Sequence, residues 1–223
     1  MTQAFKIGFL LFPHVTQLDF TGPAQILSMM SGAEIHVVWK TLDPVPSDCN
    51  ITIVPTHTFE TCPDLDMVCV PGGPGQASIM GDAEVLQWLA RQGKQASYVT
   101  SVCSGSLLLG AAGLMKGYRA GCHWAFRDLL PNFGAIPVNE RVVVDRNRIS
   151  GGGVTAGIDF ALIVAHEVRG SDEAQRLQLL FEYAPAPPFD TGVPEKAPAA
   201  MAVEARRILE EAVRKFSAIP DQA

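Results

Sequence analysis

Short apolar runs alternate with amphipathic segments along most of this chain, and this alternation constrains the fold more than any other feature. Apolar runs of strand length occupy residues 5–12, 34–41, 66–70 and 97–102. Between the last two runs, a segment capped by Asp82 carries an apolar face at helical spacing. Strands separated by helices predict an α/β fold with a mainly parallel central sheet and helices on both faces.

The connecting segments predict the remaining elements. Thr21 is expected to cap a helix that has Pro23 in its first turn. The other predicted elements are a short antiparallel excursion at 44–55, a hairpin at 141–149, and helices at 82–95, 155–168 and 172–182.

The composition of the chain changes near residue 183. Residues 1–183 fit a single α/β domain that carries the candidate catalytic residues, because 48% hydrophobic content is ample for a two-sided core. Residues 184–223 hold a Pro-rich segment and then an amphipathic helix at 201–216. The Pro-rich segment is either a flexible linker or a strap. Its rigid apolar content near Phe189 favours a strap that packs, with the helix, on the domain or on a dimer partner.

Charge and cysteine content exclude several classes of protein. A net charge of −6 without a long basic cluster argues against nucleic-acid binding. No apolar stretch reaches the roughly 18 residues of a membrane span. The N-terminal apolar run is followed by Asp19 rather than by a cleavage site, so no signal peptide is expected. The five cysteines form no CxxC pair, so neither a disulfide framework nor a metal site is expected. Cysteines that form no disulfides are typical of the reducing cytoplasm, which is the expected compartment.

Cys103 lies at the sharpest local transition in the sequence. An apolar run ends at Cys103, and Ser104, Gly105 and Ser106 then lead into a helix-like run. A residue between a strand and a helix lies on a tight turn that needs small neighbours. The helix N-terminus directs N–H groups and positive partial charge at the sulfur, which favours the thiolate. Cys103 is therefore predicted to be an activated nucleophile rather than a small buried hydrophobe.

Two other segments follow predicted strands and are expected to meet Cys103 at the carboxyl edge of the sheet. Asp19 follows the first strand, and Gly72 and Gly73 end the third. A buried carboxyl beside a thiolate has a raised pKa, so Asp19 is a candidate general acid/base; the alternative is a helix cap. Gly73 is a candidate backbone donor to a developing negative charge; the alternative is a tight turn.

Four more residues complete the candidate site. The N–H of Ser104 is expected to point into the pocket, where its hydroxyl either binds substrate or water or caps the helix. Gly152 and Val154 precede a predicted helix and are expected to bring backbone N–H groups toward the sulfur. His123 either pairs with the thiol, as histidines do in many cysteine enzymes, or is a packed structural residue, and the second interpretation is favoured.

Ordered motifs spread over residues 7–160 resemble one known superfamily. The motifs are Leu10-Leu-Phe-Pro, Leu18-Asp-Phe-Thr-Gly-Pro, Val70-Pro-Gly-Gly, Thr100-Ser-Val-Cys-Ser-Gly, His123-Trp and Gly151-Gly-Gly-Val-Thr-Ala-Gly-Ile-Asp-Phe. They resemble the superfamily of the Parkinson-associated deglycase-like proteins and the intracellular protease-like proteins. Within it, the likeness is greatest to the isocyanide hydratases, and it extends to the Pro-rich segment 182–189.

The resemblance implies a flavodoxin-like α/β sandwich with a nucleophile elbow, a homodimer, no metal and no organic cofactor. It implies that an isocyanide and water are converted to an N-substituted formamide through a thioimidate on Cys103, with Asp19 as general acid/base. Aspartate at this position is typical of the hydratases, whereas other branches carry glutamate. Ser104 and Cys122 depart from the family pattern, because threonine is expected at both positions.

Two alternatives stay open at this point. One is another cysteine-dependent enzyme of the superfamily, of glyoxalase or amidase type, against which Asp19 and the Pro-rich segment argue. The other is a sensor domain of a transcription regulator without catalytic activity. Such regulators carry a helix-turn-helix domain after this fold, and only one convincing helix follows Phe189 here.

Overall fold

The computed structural model describes residues 4–217 and contains one main sheet with two small accessory sheets. The strands are β1 (Phe5–Leu10), β2 (Ala33–Trp39), β3 (Val45–Pro46), β4 (Thr52–Ile53), β5 (His57–Thr58), β6 (Met67–Val70), β7 (Tyr98–Val102), β8 (Arg119–Ala120), β9 (Ile136–Pro137), β10 (Val142–Asp145) and β11 (Arg148–Gly151). The helices are α1 (Gln17–Leu27), α2 (Ala83–Gln95), α3 (Gly105–Ala111), α4 (Ala156–Arg169), α5 (Ser171–Leu180) and α6 (Ala199–Ser217). Two 3₁₀ segments cover Pro74–Ser78 and Arg127–Phe133.

The main sheet has seven strands in the order β10–β11–β7–β6–β1–β2–β5. All neighbours are parallel except the hairpin of β10 and β11 at one edge. From β1, the chain builds outward through β2 on one side and through β6 and β7 on the other. The carboxyl ends of β1 and β6 therefore flank a topological switch point, the place where ligands bind in such sheets.

Helices cover both faces of the sheet, and the expected α/β class is confirmed. The helices α1, α4 and α5 pack together on one face, and α2, α3 and the second 3₁₀ segment pack on the other. Fully buried side chains such as Phe9, Trp88 and Phe160 fill the space between the layers. Each buried side chain of this size contributes roughly 1.5–3 kcal/mol relative to an exposed one. This packing fixes the positions of the strand ends that carry the site.

Most predicted elements are confirmed within a few residues. Asp82 caps α2 by accepting hydrogen bonds from the N–H groups of Glu84 at 3.1 Å and Val85 at 3.4 Å. The predicted hairpin corresponds to the antiparallel pair β10 and β11, and the excursion at 44–55 corresponds to β3 and β4.

The predicted start of the first helix is wrong. The helix α1 begins at Gln17, so Thr21 lies inside it. The Thr21 hydroxyl donates a hydrogen bond to the Gln17 side-chain oxygen at 2.8 Å and caps nothing. Pro23 also lies inside the helix, where it packs next to Gly157 of α4. The earlier start places Asp19 in the first turn of α1, and the helix therefore fixes the backbone that carries this carboxyl.

The last helix lies against the carboxyl edge of the sheet. Phe216 is buried and meets the Phe126 ring edge-on, with ring centroids 5.1 Å apart. The Arg206 guanidinium lies over the Trp124 ring, 5.0 Å from its centroid. Among residues 4–217, no helix combines the length and the apolar character needed to cross a membrane. The division of the chain into a domain and a C-terminal extension near residue 183 stays a prediction.

Candidate active site

The turn between β7 and α3 is a nucleophile elbow. Cys103 has a φ of +59°, a left-handed conformation that is costly for any residue except glycine. Its N–H is shared between the carbonyl oxygens of Gly151 at 3.1 Å and Gly152 at 2.8 Å, which hold the strained residue in place. A Cβ at Gly105 would lie 1.9 Å from the Val70 carbonyl oxygen, so only glycine fits there.

Hydrogen bonds of buried hydroxyl groups stabilise the backbone on either side of the elbow. The hydroxyls of Ser101 and Ser106 lie 2.8 Å apart, and Ser106 donates to the Gly121 carbonyl at 2.6 Å. The Gly121 N–H in turn donates to the Ser150 hydroxyl at 2.7 Å. These bonds tie β7, α3 and β11 together. A buried polar network whose groups are paired makes the elbow rigid.

The predicted convergence of three strand ends is confirmed. The Gly72 N–H donates to Oδ2 of Asp19 at 2.9 Å, so the segment after β6 contacts the first turn of α1. A Cβ at Gly72 would lie 2.7 Å from the Ser104 nitrogen and 2.9 Å from Oδ2 of Asp19. Glycine at this position therefore allows Asp19 and the elbow to approach each other.

Asp19 is fully buried beside the elbow. Its Oδ1 has no hydrogen-bond partner among residues 4–217. Burial raises the pKa of Asp19 from 3.8 to about 7, although the Gly72 N–H and the Cys103 thiol act in the opposite direction. The negative charge of Asp48 raises this pKa further. The Asp19 carboxyl is therefore able to take up and release a proton near neutral pH.

The Cys103 thiol does not behave as the local sequence pattern predicts. The pattern favours a thiolate stabilised by the N-terminus of α3. In the structure, burial and the negative charge of Asp19 hold the pKa of the Cys103 thiol well above its usual range, while the Ser104 N–H lowers it. This direction is opposite to the one that the helix N-terminus alone predicts. The thiol and the carboxyl each affect the pKa of the other, so their titrations are coupled.

Ser104 is held by Gln76, a residue that the sequence analysis missed. The Ser104 hydroxyl donates to the Gln76 side-chain oxygen at 2.7 Å, and the Gln76 amide donates to the Ser104 carbonyl at 2.8 Å. Gln76 is fully buried. The Gly73 N–H donates to the Ser104 hydroxyl at 3.3 Å, so it is engaged rather than open to an incoming anion. The only sequence signal for Gln76 is its place directly after the Gly-rich turn that follows β6.

The loop after β11 borders the cavity, but the Gly152 N–H does not face the sulfur. The Gly152 N–H donates to the Arg141 carbonyl at 2.9 Å, so the prediction that it faces the sulfur is wrong. The pairing of β10 with β11 continues past Gly151 and uses this N–H. The Gly152 carbonyl contacts the elbow instead. Val154 lines the same cavity as Cys103, and its role as a donor stays a prediction.

His123 lines the same cavity as Cys103, and its imidazole is neutral at neutral pH. Burial lowers the pKa of His123 to about 4. Its Nδ1 accepts a hydrogen bond from the Ala125 N–H at 3.3 Å, and the His123 backbone N–H donates to the Cys103 carbonyl at 3.3 Å. These contacts favour a packed structural role. The neighbouring Cys122 is buried, which raises the pKa of its thiol to about 12.

A cavity of about 260 Å³ opens above the elbow. Cys103 and Ser104 lie at its base with Asp19 beneath them, and we call these three residues the polar floor. The opposite side, which we call the apolar wall, comes from α6 and consists of Leu209, Ala212 and Phe216. The wall is not evident from the sequence, because helical spacing shows that a helix has an apolar face but not what that face covers.

The fold and the elbow agree with one protein family. The model of the DJ-1/PfpI family matches residues 5–167. The chain belongs to the DJ-1/PfpI family. The superfamily resemblance inferred from the motifs is thereby confirmed. The match covers the polar floor and ends before α6, so the DJ-1/PfpI model does not include the apolar wall.

Other comparisons extend the DJ-1/PfpI likeness to the whole chain. The chain is 54% identical over 220 residues to the protein named isonitrile hydratase from Pseudomonas putida, covering 99% of this chain and 96% of that protein. It is 47% identical to a ThiJ/PfpI family protein from Pseudomonas syringae whose crystal structure superposes with a TM-score of 0.95, covering 97% of this chain and 90% of that chain. It is 30% identical over 189 residues to the helix-turn-helix transcriptional regulator GbdR from Pseudomonas aeruginosa, covering 80% of this chain and 50% of the regulator.

Proposed function

We propose that this member of the DJ-1/PfpI family is a lyase that hydrates isocyanides, R–N≡C, to N-substituted formamides. The observation that carries the proposal is the pairing of a buried carboxyl, Asp19, with the elbow thiol of Cys103 at the base of a small cavity. An isocyanide is compact and uncharged, so it suits such a cavity. The 54% identity to isonitrile hydratase supports this choice of reaction.

In the first step, the Cys103 sulfur forms a bond to the terminal carbon of the isocyanide. The thiol proton passes to the Asp19 carboxylate, the thiolate adds to the carbon, and Asp19 delivers the proton to the carbon lone pair. The product is a thioimidate, R–N=CH–S–Cys103. A covalent intermediate divides one difficult addition into two easier steps.

In the second step, water replaces the sulfur. Asp19 removes a proton from water as the oxygen attacks the thioimidate carbon, and it returns that proton to the nitrogen. The resulting carbon carries hydrogen, hydroxyl, sulfur and nitrogen. Asp19 then takes the hydroxyl proton, the C–S bond breaks, and the thiolate recovers the proton as the formamide leaves. Proton transfer by a positioned carboxyl typically contributes roughly 10²–10⁴-fold in rate.

Backbone donors support the sulfur during both steps. The Ser104 N–H already lowers the pKa of the Cys103 thiol, so it stabilises negative charge on sulfur. The N–H groups near Val154 are proposed as further donors. The Gly73 N–H becomes available only when the Ser104 hydroxyl turns toward a bound molecule.

We also propose that the enzyme works as a cytoplasmic homodimer without a metal or an organic cofactor. The thiol and the carboxyl together supply the nucleophile and the proton carrier that hydration requires. Leu179 of α5 and Phe189 are 82% and 79% exposed, which favours a surface that a second copy covers. Sedimentation equilibrium of the purified protein checks the assembly, and a monomer at micromolar concentration would contradict it.

A substrate comparison tests the proposed reaction. Purified wild-type protein is incubated with cyclohexyl isocyanide and, separately, with methylglyoxal. N-cyclohexylformamide and lactate are measured by chromatography. We expect formamide with the isocyanide and no lactate from methylglyoxal. The opposite result would replace the proposal with the glyoxalase alternative.

Two cysteine variants test the covalent step. Cys103→Ala is expected to form no measurable formamide, whereas Cys49→Ala, which changes an exposed cysteine, is expected to match the wild type. Intact-protein mass spectrometry during turnover is expected to show one isocyanide mass on the wild type and none on Cys103→Ala. Formamide production by Cys103→Ala near the wild-type rate would exclude the thioimidate.

A further inference from the structure

The helix α6 turns a continuous apolar face toward the rest of the chain. The less exposed residues of the helix include Ala202, Ala205, Leu209, Ala212 and Phe216, which recur every three or four positions, and Val213 beside them. This is the spacing of one helical face. Its last three members are the apolar wall of the cavity above the elbow. The outer side of the same helix is exposed.

Contacts with the turn after β8 fix the position of the wall. The Phe216 ring packs edge-on against Phe126, and Arg206 stacks on Trp124. Phe126 and His123 themselves line the cavity, so the wall is attached to residues that already border Cys103. The distance from α6 to the elbow is therefore set by packing within one chain.

The two sides of the cavity differ in chemistry. Around the polar floor, the Thr16 hydroxyl donates to the Asp48 carboxylate at 2.7 Å, and Asp48 also borders the cavity. The side formed by α6 offers only aliphatic and aromatic surface. An isocyanide whose terminal carbon lies at Cys103 therefore directs its substituent R away from the polar floor.

We propose that the apolar wall of α6 determines which substituent R the enzyme accepts. The geometry points to a single compact apolar group, because about 260 Å³ lies below the roughly 300–1,000 Å³ of pockets for drug-sized ligands. Ala212 controls the depth available to R, and Phe216 and Leu209 contact its sides. This inference rests on the proposed hydration of isocyanides, which it extends by naming the residues that select the substrate.

A size-dependent assay tests the wall. Ala212→Leu fills the cavity from α6, and the matched Ala200→Leu adds the same side chain at an exposed position of the same helix. The specificity constant kcat/KM is measured for methyl, n-butyl and cyclohexyl isocyanide. We expect Ala212→Leu to lower kcat/KM roughly tenfold or more for cyclohexyl isocyanide and less than threefold for methyl isocyanide. Ala200→Leu is expected to match the wild type with all three.

An equal loss for all three substrates would overturn the proposal, since it would show that α6 affects the enzyme as a whole rather than its choice of R. An unchanged profile in Ala212→Leu would overturn it as well. A second variant, Phe216→Leu, removes ring volume from the wall while keeping an apolar side chain. It is expected to raise the ratio of kcat/KM for cyclohexyl over methyl isocyanide.

Alkylation of Cys103 distinguishes failure of this inference from failure of the proposed function. The rates of modification by iodoacetamide and by N-cyclohexylmaleimide are followed at Cys103 by peptide mass spectrometry. We expect Ala212→Leu to lower the rate of modification by N-cyclohexylmaleimide roughly tenfold more than the rate with iodoacetamide. Ala200→Leu is expected to change neither rate. If no isocyanide is hydrated but this selectivity is found, the role of the wall in limiting the size of R is supported and the proposed reaction is wrong. If isocyanides are hydrated and neither assay responds to Ala212→Leu, the proposed role of the wall is wrong and the proposed reaction is supported.

Discussion

The polar floor and the apolar wall of the cavity are built in different ways. The floor depends on a strained backbone turn, fully buried polar groups and short hydrogen bonds, so small changes in geometry disturb it. The wall is one face of a helix whose opposite side is exposed, and it is held by ring packing. Under the proposed function, this difference assigns the chemistry and the choice of substrate to separate parts of the chain. Variants of the floor are expected to change kcat, whereas variants of the wall are expected to change the preference among substrates.

Among the variants that compare the floor with the wall, Asp19→Asn is expected to have the largest effect. The amide keeps the size of the side chain but cannot carry the proton between sulfur, carbon and water. Turnover of cyclohexyl isocyanide is expected to fall roughly 10²–10⁴-fold, measured as kcat. The substrate preference, measured as the ratio of kcat/KM values, is expected to stay within threefold. A changed preference with unchanged kcat would contradict the separation of floor and wall.

The same substitution is expected to change how stability depends on pH. The folded state binds the Asp19 proton up to a pH of about 7, whereas the unfolded chain releases it near 3.8. Between these values the unfolded state binds fewer protons, so the free energy of unfolding falls as pH rises. The difference in pKa corresponds to at most about 4 kcal/mol. The free energy of unfolding of the wild type relative to Asp19→Asn, measured by urea unfolding from pH 4 to 8, is expected to show this decline. His123, whose pKa is lowered by burial, contributes the opposite slope to both proteins and cancels in the difference. Parallel curves would show that Asp19 is ionised in the folded protein.

Gln76→Leu tests the support beneath Ser104. The substitution leaves the buried Ser104 hydroxyl and carbonyl without their partner, which costs about 1–3 kcal/mol per unpaired group. We expect a lower free energy of unfolding and a loss of roughly tenfold in kcat with little change in substrate preference. Gln87→Leu, at an exposed position of α2, is the control and is expected to match the wild type. If both glutamine variants behaved alike, Gln76 would have no specific role in holding the floor.

Arg206→Ala is expected to have the smallest effect. Stacking of an exposed guanidinium on an aromatic ring contributes about 0.5–1 kcal/mol, so docking of α6 is weakened only slightly. We expect a small rise in KM for cyclohexyl isocyanide at unchanged kcat. The neighbouring Arg207→Ala removes only an exposed ion pair with Glu204 and is expected to leave KM unchanged. A drop in kcat with Arg206→Ala would show that the floor depends on α6.

Local patterns were sufficient to predict the elbow and the convergence of the strand ends. The small residues after Cys103 specify a tight turn, and strand order alone brings Asp19 and Gly72 to the same edge of the sheet. The start of α1 was mispredicted, because Thr21 and Pro23 resemble a helix start although tertiary packing extends the helix to Gln17.

Other features depend on distances that sequence patterns do not encode. The pKa of the Cys103 thiol follows its burial and the nearby Asp19 charge, whereas the local pattern shows only the helix N-terminus. Gln76 has no repeating pattern around it, and its pairing with Ser104 follows from the packing of the first 3₁₀ segment. The contact between Phe216 and Phe126 joins residues far apart in the chain, so spacing alone could not reveal it.

The order of the chain has a consequence for biosynthesis. Every residue of the polar floor precedes α6, so the ribosome releases the floor before the helix that encloses it. Until α6 has docked, the cavity above Cys103 lacks its apolar wall. Completion of the cavity is thus a late event in the making of each molecule, because it requires docking of α6 through Phe216 and Arg206.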